Sequence, residues 1–379
     1  MTKGKLKKML PGGNTSQGFY SYYDNIIRPD ANRIFIIKGG PGVGKSTLMR
    51  SIGETMLDMG YDVEFHCCSS DNGSLDGVCI PEIGVAMLDG TAPHVVDPKN
   101  PGAVDEIVHL GDFWDETLLR QNKPAILETN RRVGRCFQMA YFALKEAKVI
   151  RDEWESYITE AVDFTRVNEV TLQISEEIFS AVKPDFTRPP KARHLFASAI
   201  TPDGSVNYHD TILQDTRKLY TIKGEPGSGK AALLAKLAAQ AASLGLDTEQ
   251  YHCSLVPQNI DVLVLPRLSV AIANLSAPVY FDPNCLPNLE VSKEINLSAF
   301  LDTEALNNFA DEITGCRTRF EAAFNRAVKR LNQAKTEHDL MESYYAPAMN
   351  FHDINAKKEQ LLARVIRYAE ENASDPFPE

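Results

Sequence analysis

The chain of 379 residues contains no apolar run of membrane-spanning length, no Cys-x-x-Cys pair and no excess of basic charge. Each absence closes off a class of protein. A spanning helix takes about 20 consecutive apolar residues, so membrane insertion is not expected. The seven cysteines (Cys67, Cys68, Cys79, Cys136, Cys253, Cys285 and Cys316) are odd in number and lack the spacing of a zinc or redox site. That usage predicts a reducing, cytoplasmic setting rather than a disulfide scaffold. His66-Cys67-Cys68 is the one local cluster, and it reads as buried cysteine in a strand. Forty Lys and Arg stand against 51 Asp and Glu, a net charge of −11, which argues against nucleic-acid binding through a broad basic face. Lys3, Lys5, Lys7 and Lys8 are followed by no apolar core, so Met1 to Leu10 is predicted to be a solvated tail and not a signal peptide.

What is present is a repeat. Lys38-Gly39-Gly40-Pro41-Gly42-Val43-Gly44-Lys45-Ser46-Thr47 returns as Lys223-Gly224-Glu225-Pro226-Gly227-Ser228-Gly229-Lys230-Ala231-Ala232, 185 residues later. The same spacing carries Asp76 to Asp261, Pro81 to Pro266 and Asp97-Pro98 to Asp282-Pro283. It slips by one near His66-Cys67, which match His252-Cys253, and becomes 187 further on, where Tyr157 matches Tyr344 and Asn168 matches Asn355. One domain has been duplicated, giving repeat 1 at 1–183 and repeat 2 at 192–379, joined by a Pro-rich linker at 184–191.

Each repeat predicts an α/β fold with a parallel-sheet core. Ile34 to Ile37 reads as a buried strand, followed by the Gly-rich loop. Ser46 to Met59 sets Leu48, Met49, Ile52, Met56 and Leu57 on one helical face, with Gly60 as the stop. Asp62 to Cys68 and Val85 to Leu88 read as further strands, and strand–helix–strand order predicts parallel pairing. From about 128 to 183, and again from about 315 to 373, apolar residues at helical spacing lie among many charges. These segments predict a long helical hairpin appended to each core. Its apolar stripes are expected to pack against the partner hairpin; a docking surface for a protein partner is the alternative.

Gly39-x4-Gly44-Lys45-Ser46 is the Walker A pattern, and its chemistry needs these residue types. Gly39, Gly40, Gly42 and Gly44, with Pro41 and Val43 between them, let the backbone wrap phosphate oxygens. The helix that starts here turns its positive end on the same anion. Lys45 supplies a cation for the phosphates, Ser46 a hydroxyl for magnesium, and Thr47 completes the turn. A magnesium site also wants a carboxylate at the end of a neighbouring strand. Asp89, after Val85-Ala86-Met87-Leu88, is the candidate, with a turn aspartate before Gly90-Thr91 as the alternative reading. Asp71 and Glu82 are further candidates for orienting a water, or plain surface carboxylates. A guanine-reading motif is approached at Asn122-Lys123-Pro124-Ala125 but lacks its aspartate, so ATP is the expected nucleotide.

Repeat 2 keeps Gly224, Gly227, Gly229 and Lys230 but puts Ala231 for Ser46, Asn274 for Asp89, Arg267 for Glu82, Val256 for Asp71 and Val279 for His94. A second site that binds nucleotide without efficient hydrolysis is the expectation. Arg131, Arg132 and Arg135 cluster where the first hairpin begins and are candidates for an arginine finger across a pseudo-dimer or homodimer, or for structural ion pairs.

The loop, His66-Cys67-Cys68-Ser69-Ser70-Asp71, Leu75-Asp76-Gly77 and Asp89-Gly90-Thr91-Ala92-Pro93-His94-Val95-Val96-Asp97-Pro98 together resemble an uncharacterised bacterial family of tandem P-loop proteins, ATPase-like or nucleotide-kinase-like. The likeness runs over nearly the whole chain, including Gly12-Gly13-Asn14-Thr15 and Gly18-Phe19-Tyr20. It implies ATP binding and a second loop ending in Lys-Ser or Lys-Thr, from which Lys230-Ala231 departs. Three functions are carried forward. They are Mg2+-dependent ATP hydrolysis in repeat 1 with a regulatory or structural repeat 2, phosphoryl transfer to an acceptor held near Asp71, Asp76 and His94, and a non-catalytic nucleotide-gated scaffold.

Overall fold

The computed structural model describes residues 2–92, 95–276 and 279–374. Repeat 1 contains β1 (Leu6–Met9), β2 (Gly12–Thr15), β3 (Gly18–Ser21), β4 (Arg33–Lys38), α1 (Lys45–Asp58), β5 (Val63–Cys67), β6 (Leu75–Ile80), β7 (Val85–Asp89), β8 (Asp105–His109), α2 (Glu116–Gln121), α3 (Lys123–Glu160) and α4 (Phe164–Phe179). Repeat 2 answers with β9 (Ala192–Phe196), β10 (Ser198–Thr201), β11 (Gly204–Asn207), α5 (His209–Ile212), β12 (Lys218–Lys223), α6 (Lys230–Ser243), β13 (Thr248–His252), β14 (Ile260–Leu265), β15 (Val270–Asn274) and β16 (Val291–Asn296). The helices α7 (Thr303–Asn307), α8 (Ala310–Tyr345) and α9 (Phe351–Ser374) complete it. The segment 182–191 between the repeats has neither helix nor strand.

Two six-stranded sheets result, ordered β1-β5-β6-β7-β4-β8 and β9-β13-β14-β15-β12-β16. The core is α/β and duplicated, but the sheets are mixed. β6 and β14 pair antiparallel to both of their neighbours, and every other pairing within these two sheets is parallel. The sequence pattern marks no strand at Leu75–Ile80 and so predicts a purely parallel core. Ser74 and the Pro81–Ile83 turn let the chain reverse twice within about twenty residues, making hairpins where crossovers were expected. The predicted tail is also a strand: β1 adds to β5 in parallel register, Leu6 opposite Val63.

Helix α1 buries Leu48, Met49, Ile52 and Met56, each at most 2% exposed, against its sheet. Each such burial is worth about 1.5–3 kcal/mol. It ends where Gly60, at φ 97°, takes the left-handed turn, so that Tyr61 N–H reaches Met56 C=O and Gly60 N–H reaches Leu57 C=O. Helix α6 ends in the same way: Gly245 has φ 75°, and Leu246 N–H bonds Ala241 C=O.

The chain forms two compact units, and these are not coextensive with the repeats. The first comprises 1–12, 21–138 and 330–379, and the second comprises 13–20 and 139–329. The cuts fall inside α3 and α8, so the last turns of α8 and all of α9 belong with the first sheet, and the second part of α3 and all of α4 belong with the second. Both helices are long, 38 and 36 residues. In the second unit they pack together through Ala147, Ile150, Trp154, Cys316 and Ala323, with Trp154 edge-on to Phe320. Helix α4 adds Val167, Ile174, Ile178 and Phe179 to the core formed by α6 and the second sheet. Among the described residues no helix is long and apolar enough to cross a membrane.

Candidate functional site

The first Gly-rich loop joins the end of β4 to the start of α1. Gly42 and Gly44 have φ of 67° and 85°, a region that a side chain enters only with strain. Gly44 caps α1 without any side-chain acceptor, which leaves the helix's first N–H groups as an anion-binding end. Lys45 folds back over the loop, its Nζ donating to the carbonyls of Gly39 at 3.0 Å and Gly40 at 2.8 Å. The same Nζ is 3.6 Å from Oδ2 of Asp89. Strand pairing explains that approach, because β7 lies beside β4 with Asp89 opposite Ile37. Asp89 has the turn role as well. Its Oδ1 accepts from Thr91 N–H at 2.9 Å, and the Thr91 hydroxyl donates to Gly39 C=O at 3.0 Å.

Ser46 Oγ accepts the Leu75 N–H at 2.9 Å, tying α1 to the first residue of β6. The next residue, Asp76, sits on a bulge. His66 pairs with Gly77 and Cys67 with Leu75, which leaves Asp76 as the extra residue. A bulge re-aims a side chain, and this one places a carboxylate that is 3% exposed at the loop end of the sheet, beside the strand that carries Asp89. Burial, then the Asp76 charge, pushes the Tyr23 hydroxyl and the Cys68 thiol well above their usual ranges. Sequence reading gave Asp76 only a marginal place. The signal for it was its recurrence as Asp261.

The remaining candidates are distributed differently. Asp71 caps its own turn, accepting from Gly73 N–H at 3.3 Å and Ser74 Oγ at 2.7 Å, and stands 3.8 Å from Lys335 Nζ of α8. Glu82 is not at the site. Because β6 runs antiparallel, Glu82 follows it at the opposite end of the sheet, where Ile80 pairs with Val85. Four residues of β7, ~13 Å, separate that end from Asp89. Arg267, which replaces Glu82, is likewise far from its loop and pairs with Asp185 at 3.5 Å. That substitution therefore says nothing about the second site. His94 lies outside the described residues. Arg131 pairs with Glu128, Arg132 with Glu337, and Arg135 with Gln138.

In the first unit, α8 covers the loop. A Cβ on Gly40 would lie 2.6 Å from the Tyr345 ring, and one on Gly42 would lie 3.1 Å from Glu342 Cβ. The second unit repeats the plan with α3, where a Cβ on Gly227 would lie 2.6 Å from the main-chain oxygen of Glu155. Lys230 Nζ donates to the carbonyls of Gly224 and Glu225, and Gly227 and Gly229 have φ of 84° and 97°. The metal positions differ. Ala231 offers no hydroxyl, and Asn274 donates its amide to Oδ1 of Asp261 at 2.9 Å. Asp261 occupies the same bulge as Asp76, since Tyr251 pairs with Val262 and His252 with Ile260. Burial raises the pKa of Asp261. Burial, and then the nearby Arg151, lowers Lys230 to about 8. Neither Arg151 nor Lys335 was singled out from sequence, since each reaches a loop that lies far from it along the chain. No protein-family description, no curated protein and no solved structure matches the chain, so the site stands on a duplicated α/β unit with no family identified.

Proposed function

We propose that the first loop binds ATP with magnesium and that phosphate is released there, while the second loop serves a regulatory or structural role. The observation that carries this reading is the arrangement of Lys45, which stands at the head of α1 and meets both the loop carbonyls and Asp89. The residues fit a phosphate–magnesium group. Ser46 Oγ is engaged as an acceptor of one N–H and keeps a second lone pair, and Asp89 Oδ2 faces the loop lysine. Ser46 and Asp89 would hold the magnesium, which when bound neutralises charge on the phosphate oxygens. Lys45 exchanges its two carbonyl partners for phosphate oxygens. The N–H groups from Gly42 to Ser46 bind and orient the same chain, and Tyr345 and Glu342 limit the access of water to the loop.

Phosphate release from magnesium-ATP tests this, measured for the wild type, Lys45→Ala and Lys230→Ala at matched purity. Turnover that falls at least about 100-fold in Lys45→Ala and survives in Lys230→Ala supports the asymmetric reading. Equal loss in both variants, with the fold intact, sinks it. Binding of ATP without release by the wild type removes hydrolysis from the proposal and directs the search to phosphate acceptors.

A further inference from the structure

We infer that the second loop holds a polyphosphate chain without any divalent cation, the guanidinium of Arg151 standing in for the charge that magnesium brings to the first loop. This rests on reading the first loop as the metal-dependent one, and concerns a different set of side chains.

The two loops differ by a consistent exchange of charge. Around the first are the Ser46 hydroxyl and two carboxylates, Asp76 and Asp89. Around the second the hydroxyl is lost to Ala231, and one carboxylate has become Asn274, whose amide is spent on the other, Asp261. A magnesium ion demands hard, charged oxygen ligands, and one buried carboxylate already engaged by an amide is a poor set. In compensation a cation has been gained. Position 151 corresponds, at the spacing of 187 residues, to His338 in repeat 2. Arg151 is on α3, one turn before the Glu155–Thr159 stretch that rests on Gly227, where the Thr159 hydroxyl donates to Gly227 C=O at 3.4 Å. Its side chain is 22% exposed, and its Nε donates to Glu155 Oε1 at 2.9 Å.

A guanidinium has five N–H donors in a planar fork. The Glu155 bond uses the one on Nε, which leaves the two terminal nitrogens for bidentate contact with phosphate. The charge of Arg151 is felt at Lys230, Asp261 and Cys253, which places it among the groups that surround the loop. At the second loop Lys230 and Arg151 are joined by Arg317, which pairs with Glu225 of the loop at 3.4 Å, and these three cations among Glu155, Glu225 and Asp261 offer a polyanion its partners. In the first unit Lys335 reaches Asp71 and Asp339, so that helix's lysine is already matched by carboxylates.

The test uses the full-length Lys45→Ala variant, with ATP binding measured calorimetrically in excess EDTA and in excess magnesium. One ATP per chain should bind in EDTA, with affinity unchanged or better than in magnesium, and tripolyphosphate should compete. Arg151→Met should weaken binding tenfold or more, Arg151→Lys should recover part of it, and Lys230→Ala should abolish it. Glu155→Gln breaks the same ion pair yet keeps the cation, and should bind at least as tightly as the parent. Loss of binding in EDTA overturns the inference, as does Arg151→Met binding as tightly as the parent. Failure of tripolyphosphate to compete also overturns it, by assigning the affinity to base and sugar. The first-loop reading is judged separately, on Lys230→Ala, by its magnesium dependence.

Discussion

Asn274 Nδ2 lies 2.9 Å from Oδ1 of Asp261, at the point where repeat 1 brings the bulged Asp76 next to the strand end bearing Asp89. The amide neutralises in repeat 2 what is a pair of acids in repeat 1. Asn274→Asp would set two carboxylates together in a buried setting and remove the hydrogen bond. The expected cost is about 2–4 kcal/mol, a fall in melting temperature on the order of 5–10 °C. The difference from wild type should shrink at pH 5, where one carboxyl of the pair takes up a proton. Thermal unfolding of both proteins at the two pH values checks it. An unchanged melting temperature would show that the pair tolerates both charges.

Tyr345 closes over Gly40, where a Cβ would come within 2.6 Å of the ring. Removing the ring should open the first loop. Tyr345→Ala is expected to speed nucleotide association several-fold and to cost about 1–3 kcal/mol of stability, less than a fully buried aromatic because Tyr345 is only partly buried. Stopped-flow mixing with a fluorescent ATP analogue reads the first effect, and urea unfolding the second. Gly40→Ala should act on association in the same direction, because its methyl group forces the ring and the loop apart.

Acid should destabilise the second unit through its histidines. Burial lowers His209 and His252 to about 4, and lowers His194 as well. His252 also feels its neighbour, His194 Nδ1 lying 2.9 Å from His252 Nε2. These folded values lie below the unfolded 6.5, so the fold keeps the rings neutral. The contribution is complete above pH 6.5 and is lost as pH falls from 6.5 toward 4. Urea midpoints at pH 7 and pH 5 should differ by a few kcal/mol of unfolding free energy. His252→Asn should flatten the dependence.

Lys230, lowered to about 8 by burial and then by Arg151, predicts a pH limit for anion binding at the second loop. Here the folded value lies below the unfolded 10.5, so between pH 8 and 10.5 the unfolded chain binds more protons and stability rises with pH. Anion affinity moves oppositely, falling as Lys230 loses its proton above pH 8. The groups facing it are Arg151 and Glu155 of α3, Glu225 of the loop and Asp261 of β14. Binding near pH 9 should therefore take up a proton. Calorimetry in buffers of different ionisation enthalpy measures that uptake directly, and its absence would show that Lys230 stays charged throughout.

Duplication, the loop, α1 with its Gly60 stop, and the strand bearing Asp89 were all legible, because each is written in local pattern: apolar period, glycine placement and recurrence at a fixed spacing. β6 was not, since Leu-Asp-Gly-Val-Cys-Ile mixes an acid and a glycine into six residues that are buried throughout, and no alternation survives. Missing that strand misplaced Glu82, whose distance from Asp89 depends on the chain's direction and not on its proximity in sequence. The bulge at Asp76 left only an indirect trace, the return of the same aspartate as Asp261 at the spacing of 185 residues. The places of Arg151 and Tyr345, the latter legible only as part of an apolar stripe, were hidden for another reason: each is set beside a loop more than seventy residues away in sequence, by helices whose stripes say that they pack but not on what.

Because the first unit takes residues 330–379 as well as 21–138, its loop is covered only by a segment made long after the loop itself. A ribosome adds about 5–20 residues per second, so Lys45 waits many seconds after its own synthesis for Glu342 and Tyr345. During that interval the Walker loop exists without its cover, and a chain that stops short of α8 leaves it that way. The cover of the Gly-rich loop is thus assembled late: an aborted product keeps the motif and lacks the helix over it.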